Sequence, residues 1–427
     1  MMLCTLFSVT TTKGRNMQNR MIFFSFAAVL FWFAADAKAD DLGKPMFSLS
    51  GFGTAGVTYS DERQADFTSN FLKAKGAGFS RRWSADVDSR IGVQLTANFT
   101  PELSGVVQVI SELRYDNTYL PIVEWANLKY QFTPDLSVRI GRIALPTFLA
   151  ADYRKLGYAL PWARTPGEVY SLVPITNSDG VDFSYRTRIG DWKNNFRAAF
   201  GKTDIKYNVG EAKARAIRGV SDTIEYGDAS VRLSYVQADV TVNFAQALFD
   251  GFRQFGVQGN TLADRYNGSN KRFTVIGLGA TYDPGDWFVT AELGKSRAHS
   301  FLGDKTAWYA SGGYRIGKLT PYLAFAQVRA DSNASDPGLN VAGMPPQLAG
   351  LATGLNAGLN GLIGLIGVQK SIAVGTRWDF KKDAAVKLQY DRIMLGTNSL
   401  GNLIGEQPGF RRGGTANVAS VVLDFVF

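Results

Sequence analysis

The sequence predicts an all-β fold: a closed antiparallel transmembrane β-barrel of about sixteen strands, with short turns at one end and long loops at the other. Three observations predict it. Apolar residues alternate with period two over bilayer-crossing lengths, tight turns join these stretches in pairs, and aromatic residues gather beside the turns. The composition agrees: aromatics make up 13% and there are 45 glycines, which suits strands and turns. A mean hydropathy of −0.07 is too polar for a bundle of spanning helices, and 45% hydrophobic residues exclude a disordered chain. With one cysteine (Cys4) and one histidine (His299), zinc modules are excluded, and no metal or cofactor is expected.

The N-terminus reads as an export signal. Lys13, Arg15 and Arg20 precede an apolar run from Met21 to Ala35, followed by Ala37-Lys38-Ala39, a small-x-small cleavage pattern. Cleavage is expected before Asp40, with residues 1–39 removed and residues 40–427 forming one domain; Met17 would serve equally well as the start. Removal of four basic residues and one acidic residue lowers the formal charge from +9 to +6 and leaves no cysteine. Export and the lack of a basic stripe beyond pairs such as Arg81-Arg82 argue against nucleic acid as the partner.

The strands follow in order. Leu49 to Tyr59 alternates, and in the stretch from Asp86 to Phe99 Val87, Ile91, Val93 and Leu95 share one face while Asp86, Asp88, Arg90 and Gln94 share the other. Only the first set can face lipid. Tight turns are expected at 100–102, 133–135, 190–191, 237–239, 283–286, 316–318 and 381–383, mostly on Pro, Gly or Asp. Seven turns join fourteen strands and the end segments add two, about 24 residues each with their connections, as a barrel with strands of ~9–11 residues requires. Closure follows, because lipid offers no partner to a free strand edge. Phe99, Tyr130, Phe132, Tyr282, Trp287, Tyr314, Trp378 and Phe380 flank the turns as an interfacial girdle, and the chain ends on Leu423, Phe425 and Phe427, all on one face.

A cleavable signal, sixteen amphipathic strands, seven tight turns and the terminal Phe427 resemble the Gram-negative general porins. The resemblance implies an outer-membrane location, a homotrimer, contact with outer-membrane lipids, and recognition of Phe427 as an assembly signal by the barrel assembly machinery. It also implies a third long loop folded into the lumen, here from Arg142 to about Thr176 after strand Leu136–Gly141 and before strand Val181–Thr187. This segment lacks the Pro-Glu-Phe-Gly-Gly motif of enterobacterial porins and reads Tyr158-Ala159-Leu160-Pro161-Trp162 instead.

The expected function is passive diffusion of ions and small hydrophilic solutes; a substrate-specific channel and an outer-membrane hydrolase are the alternatives. His299-Ser300 is the one hydrolase-like pair, and adjacent residues on an extended segment point apart, so no enzyme is expected. Gly51-Phe52-Gly53-Thr54-Ala55-Gly56 matches a dinucleotide pattern but lies in a strand with no helix after it, so small residues packing a strand face explain it. The Gly/Leu-rich segment 346–368 is expected as a loop on the barrel rim or against a neighbouring subunit.

Alternation places Arg90, Arg114, Lys129, Arg139, Arg186, Arg188, Lys193, Arg197, Arg232, Arg377 and Lys387 in the lumen, against Asp86, Asp88, Glu112, Asp182, Glu292, Asp379, Asp391 and Asp424. The inward loop adds Arg142, Arg154, Lys155 and Arg164 against Asp152 and Glu168. A weak anion preference is expected, with Arg90 and Arg139 on the wall facing Asp152 and Glu168 on the loop across a transverse field.

Overall fold

In the computed structural model residues 46–208 and 210–427 are described. The export signal, its cleavage site after Ala39 and the choice of start lie outside them. Residues 50–427 form one unit; of the unit ending at Leu49 only the last residues are described, and they open the first strand.

Sixteen long strands form the wall: β1 (Phe47–Ser60), β2 (Arg90–Asn98), β3 (Leu103–Glu112), β4 (Ile122–Gln131), β5 (Leu136–Ala144), β6 (Asn177–Ile189), β7 (Trp192–Tyr207), β8 (Gly210–Tyr226), β9 (Ala229–Val242), β10 (Lys271–Tyr282), β11 (Trp287–Arg297), β12 (Lys305–Tyr314), β13 (Leu319–Ala330), β14 (Gln369–Lys381), β15 (Ala384–Leu395) and β16 (Thr415–Val426). Each pairs with the next, and β16 returns antiparallel to β1 in a register from Phe52↔Val426 to Ser60↔Val418. The sheet therefore has no free edge.

Six of the seven expected turns lie where the sequence puts them. The seventh does not. Gln237-Ala238-Asp239 sits inside β9, and the tight turn is Gly227-Asp228, where Gly227 has φ +53. It repeats Gly190-Asp191, whose glycine has φ +61; both two-residue links need the left-handed region that glycine enters freely. At the opposite end β7 and β8 are joined by residues 208–209 alone, so no long loop separates them.

The alternation is visible in exposure. Val57, Leu95, Val107, Leu128, Ile140, Leu233, Leu278 and Val421 are exposed on the outer face. The girdle forms beside the short turns, where Trp192 stacks on Tyr226 at 4.6 Å and Tyr130 meets Phe132 at 4.8 Å. Val87 departs from expectation: β2 starts only at Arg90, and Val87 is fully buried in the preceding loop rather than facing lipid. Asp222 also faces outward within the belt, in register with exposed Phe196, and accepts a hydrogen bond from Asn194 Nδ2 at 2.6 Å. Cysteine labelling of the folded barrel checks the assignment: a water-soluble reagent is expected to modify position 94 and spare position 93 in membranes.

The segment 346–368 is mainly helix rather than loop. Its Pro346–Ile363 stretch packs on two helices of the preceding long extracellular connection, Gln246–Arg253 and Gly256–Tyr266, in a shared apolar cluster with Phe249, Phe252 and Leu262. No helix among the described residues is long and apolar enough to cross a membrane.

Candidate functional site

The connection between β5 and β6, residues 145–176, lies inside the barrel; it begins after Ala144, three residues later than expected, because β5 continues through Ala144 in register with Asn177. Its Leu145, Phe148, Leu160, Trp162, Val169, Tyr170 and Leu172 pack on inward side chains of β8–β13: Ile217, Val236, Val275, Phe288, Tyr309, Tyr322 and Val328. This half of the inner wall carries a larger apolar patch than a wholly water-filled barrel would tolerate. It is the bed on which the loop lies.

Polar side chains fix the loop at several points. Arg232 Nη1 donates to the Phe148 carbonyl at 2.9 Å, Arg377 Nη1 to Tyr158 and Leu160 carbonyls at 2.7 and 3.0 Å, and Lys387 Nζ to Gly157 and Trp162 carbonyls at 2.7 and 2.9 Å. Glu292 accepts from Leu149 N–H at 2.8 Å and from the Tyr170 and Tyr309 hydroxyls, both at 2.7 Å. The Ala163 N–H donates to Gln389 Oε1 at 2.9 Å, and Trp162 Nε1 to Ser311 Oγ at 2.8 Å.

Arg164 is the centre of this attachment. Its guanidinium grips Asp88 through Nε at 2.9 Å and Nη2 at 2.6 Å, reaches Asp391 at 3.1 Å, and donates to Ser420 Oγ at 2.6 Å. Burial pushes the Asp88 carboxyl up, but the adjoining guanidinium outweighs this and holds it below the usual carboxylate range. For Arg164 itself burial acts downward, and Asp88 and Asp391 raise it above its ordinary value.

Opposite this bed, along β1–β4, space remains. A cavity of about 480 Å³ is lined by Phe52, Gln94, Gln108, Glu124, Asp152 and Lys155, and a smaller one of about 80 Å³ by Thr68, Asn70, Arg90, Glu112, Arg154 and Arg164 among others. Lys155 borders both, with its ammonium 2.8 Å from Glu112 and 2.9 Å from Glu124. Burial acts downward on that ammonium; the two carboxylates prevail and raise it. The first long loop also turns inward here: Lys73 donates to the Val87 carbonyl at 2.8 Å, and Asn70 Nδ2 to the Pro174 carbonyl at 3.1 Å.

The sequence-derived candidates fall into three groups. Arg139, Arg186 and Arg197 lie on the inner wall of β5–β7, and Arg90 is on β2, 3.9 Å from Glu112. Arg114 is in the connection between β3 and β4, 3.6 Å from Asp116, and belongs to no strand. The third group is the facing set, which does not assemble as expected. Asp152 meets Arg197 at 2.9 Å, Glu168 is buried and accepts from Gln369 Nε2 at 2.7 Å, and Arg139 pairs with Asp182. Loop-to-wall charge contacts of both polarities lie beside the cavities: loop Asp152 on wall Arg197, and loop Lys155 on the wall carboxylates Glu112 and Glu124.

Sequence reasoning missed Glu124, Lys73, Gln389 and the role of Lys155. Glu124 was hidden by an irregularity opposite Gln108/Val109, which shifts the parity of β4 so that Glu124, Asn127 and Lys129 all turn inward. Phe427 is exposed; its ring lies over Gly51, where any Cβ would collide with it, and Phe425 lies likewise over Gly53. The glycines of the dinucleotide-like pattern make room for these rings. His299 is exposed at φ +48, and Ser300 is buried with its Oγ accepting from Leu302 N–H at 3.3 Å.

A closed barrel with an apolar outer belt and a polar lumen narrowed by an anchored loop defines a transmembrane channel. The chain belongs to the Gram-negative porins: the family model of that description matches residues 25–402. It is an outer-membrane porin, a passive diffusion channel for ions and small hydrophilic solutes. Similar folds include Salmonella typhi OmpF in complex with daunomycin (14% identity, 89% of this chain and 97% of that one, TM-score 0.53). The anion-selective porin from Comamonas acidovorans (14%, 89% and 99%, 0.53) and the outer membrane channel DcaP of Acinetobacter baumannii (12%, 92% and 99%, 0.52) are comparable. No curated protein matches the sequence.

Proposed function

We propose that the pore passes small hydrophilic anions in preference to cations, and that the filter is a basic ladder on the inner wall rather than a field across the loop. The observation that carries this is the inward row Lys129, Arg139, Arg186, Arg188 and Lys193, adjacent in register across β4–β7 near the short turns (Lys129↔Arg139, Arg188↔Lys193). Lys129, Arg186 and Lys193 form no ion pair among the described residues, whereas most loop and upper-wall charges are engaged in anchoring. In a lumen with low-dielectric walls such an excess is focused, and a Debye length of about 10 Å at 0.1 M is comparable to a pore radius.

Reversal potentials in a salt gradient test it. The wild-type channel is expected to reverse toward chloride, and Arg186→Glu with Arg188→Glu to bring the potential to zero or beyond. Cation preference in the wild type, or an unmoved potential in the variant, overturns the reading. The same proposal includes removal of residues 1–39 during export, leaving one barrel domain of residues 40–427. It also includes a homotrimer seated in outer-membrane lipid, assembly through recognition of Phe427, and transport without catalysis, all resting on family membership.

A further inference from the structure

We propose that the outer face of β7 and β8 docks a second copy of this chain through a two-fold contact centred on Asn194 and Asp222. Among the described residues, Asp222 is the one acidic or basic side chain facing outward between the girdle and the extracellular rim. It lies four residues from girdle residue Tyr226. At ~3.4 Å per residue and a tilt of about 40° that is roughly 10 Å into a belt about 25 Å tall. A polar group at this depth needs a protein partner, because hydrocarbon supplies neither donor nor counter-charge. Its own barrel answers it once: Asn194 Nδ2 donates to Asp222 Oδ1 at 2.6 Å. No other hydrogen bond or ion pair reaches either side chain among the described residues, so the second Nδ2 hydrogen and Asp222 Oδ2 are without a partner.

The patch is its own complement. Asn194 and Asp222 sit on adjacent strands, Asn194 in register with Ile224 and Asp222 with Phe196. When two copies meet face to face about an axis along the membrane normal, the left of one patch meets the right of the other. Asn194 then faces the partner's Asp222 and Asp222 faces the partner's Asn194, so each amide donates its second hydrogen across the contact. A lipid tail offers no such donor, and no other described outward side chain at that depth is an amide or a cation. The surroundings fit a protein contact as well. Phe183, Tyr185, Phe196 and Phe200 are exposed around the pair, and aromatic side chains are enriched in such contacts. Mid-belt positions on β1–β5 carry aliphatic Val57, Leu95, Val107 and Ile140 instead. At the rim above the patch the charges are mixed in sign and do not oppose docking: Lys202 stands in register with Asp179, and Asp204 pairs with Arg215 at 2.6 Å.

The test uses the purified, folded barrel in liposomes, with a photoreactive benzophenone side chain at position 196 or, for comparison, at position 323 on the outer face of β13. Illumination is expected to give a two-chain band after heating, severalfold stronger from position 196 than from position 323. Adding Asn194→Leu with Asp222→Leu should lower that band severalfold, the change that losing two interchain hydrogen bonds makes in a membrane. Should the double change reduce folded yield, Asn194→Leu alone carries the same comparison. Equal bands from positions 196 and 323, or an unchanged band in the leucine variant, overturns the proposal. So does an unheated cross-linked product of three chains, which would put the contact on a threefold axis. The two-fold contact gives two chains, or six where it joins two trimers. Single-channel conductance, set by the lumen, is read in parallel and should not change, so failure of the contact is distinguishable from failure of the channel reading.

Discussion

Replacing Arg164 by methionine is expected to release the tip of the inward loop and to enlarge and destabilise the pore. The guanidinium is 9% exposed and Asp88 1%, so its removal leaves Asp88 and Asp391 buried without their ion-pair partner. Breaking a buried pair in this way costs about 3–5 kcal/mol, more than the separate attachments through Gln389 or Ser311 can each restore. Single-channel records should show higher conductance with rapid flicker, and the heat-unfolding midpoint should fall. Arg164→Lys should behave almost as badly, because an ammonium cannot grip Asp88 through two nitrogens and still reach Ser420. The pH dependence has a definite sign. With the Asp88 carboxyl held below its usual value near 4, the stability it contributes is complete at higher pH and is lost only as pH falls through the depressed value. The Asp88–Arg164 grip should thus persist at neutral and mildly acidic pH and fail in strong acid. Unchanged conductance and noise in Arg164→Met would show that the loop is held elsewhere.

The second large effect is expected at the closing seam. In Gly53→Val the new side chain would occupy the space of the Phe425 ring, on the pair of strands that shuts the barrel. Overpacking of this kind costs about 1–3 kcal/mol and here also opposes closure, so the folded, heat-modifiable fraction should drop by about tenfold. The double variant Gly53→Val with Phe425→Ala should recover most of it, since the ring and the added methyls compete for one space. Deleting Phe427 should likewise lower folded yield and leave the conductance of surviving channels unchanged. Normal yield in Gly53→Val, or no recovery in the double variant, contradicts this role of the glycines.

Period-two patterning made the barrel legible because its two faces meet different solvents: Val93 and Leu95 meet lipid, while Gln94 meets water. Errors arose where that contrast disappears. Val87 and Asp88 continue the alternation of β2 in sequence, yet the chain there turns inward to meet Arg164. Gln237-Ala238-Asp239 interrupts the pattern because polar Gln237 and Asp239 continue the outward face of β9 beyond exposed Val231, Leu233 and Tyr235, while Ala238 is buried inside. The Gly227-Asp228 turn carried the same signal as Gly190-Asp191 and was available from the sequence.

The candidate site was legible as a set of inward residues and illegible as a set of contacts. Arg232, Arg377 and Lys387 were placed correctly on the lumen face, but counting charge cannot tell a cation that faces ions from one that donates to loop carbonyls. Nor can it show that Asp152 is answered by Arg197, which lies 45 positions away in sequence. The free ladder of Lys129, Arg186 and Lys193 emerges only after the engaged charges are set aside.

Single-channel recording of the purified protein in a planar bilayer tests the central claim most directly. A water-filled barrel narrowed by an anchored loop predicts discrete, ohmic conductance steps, in groups of three equal levels for a trimer. A protein that inserts, resists heat as a folded barrel and yet passes no current would contradict it.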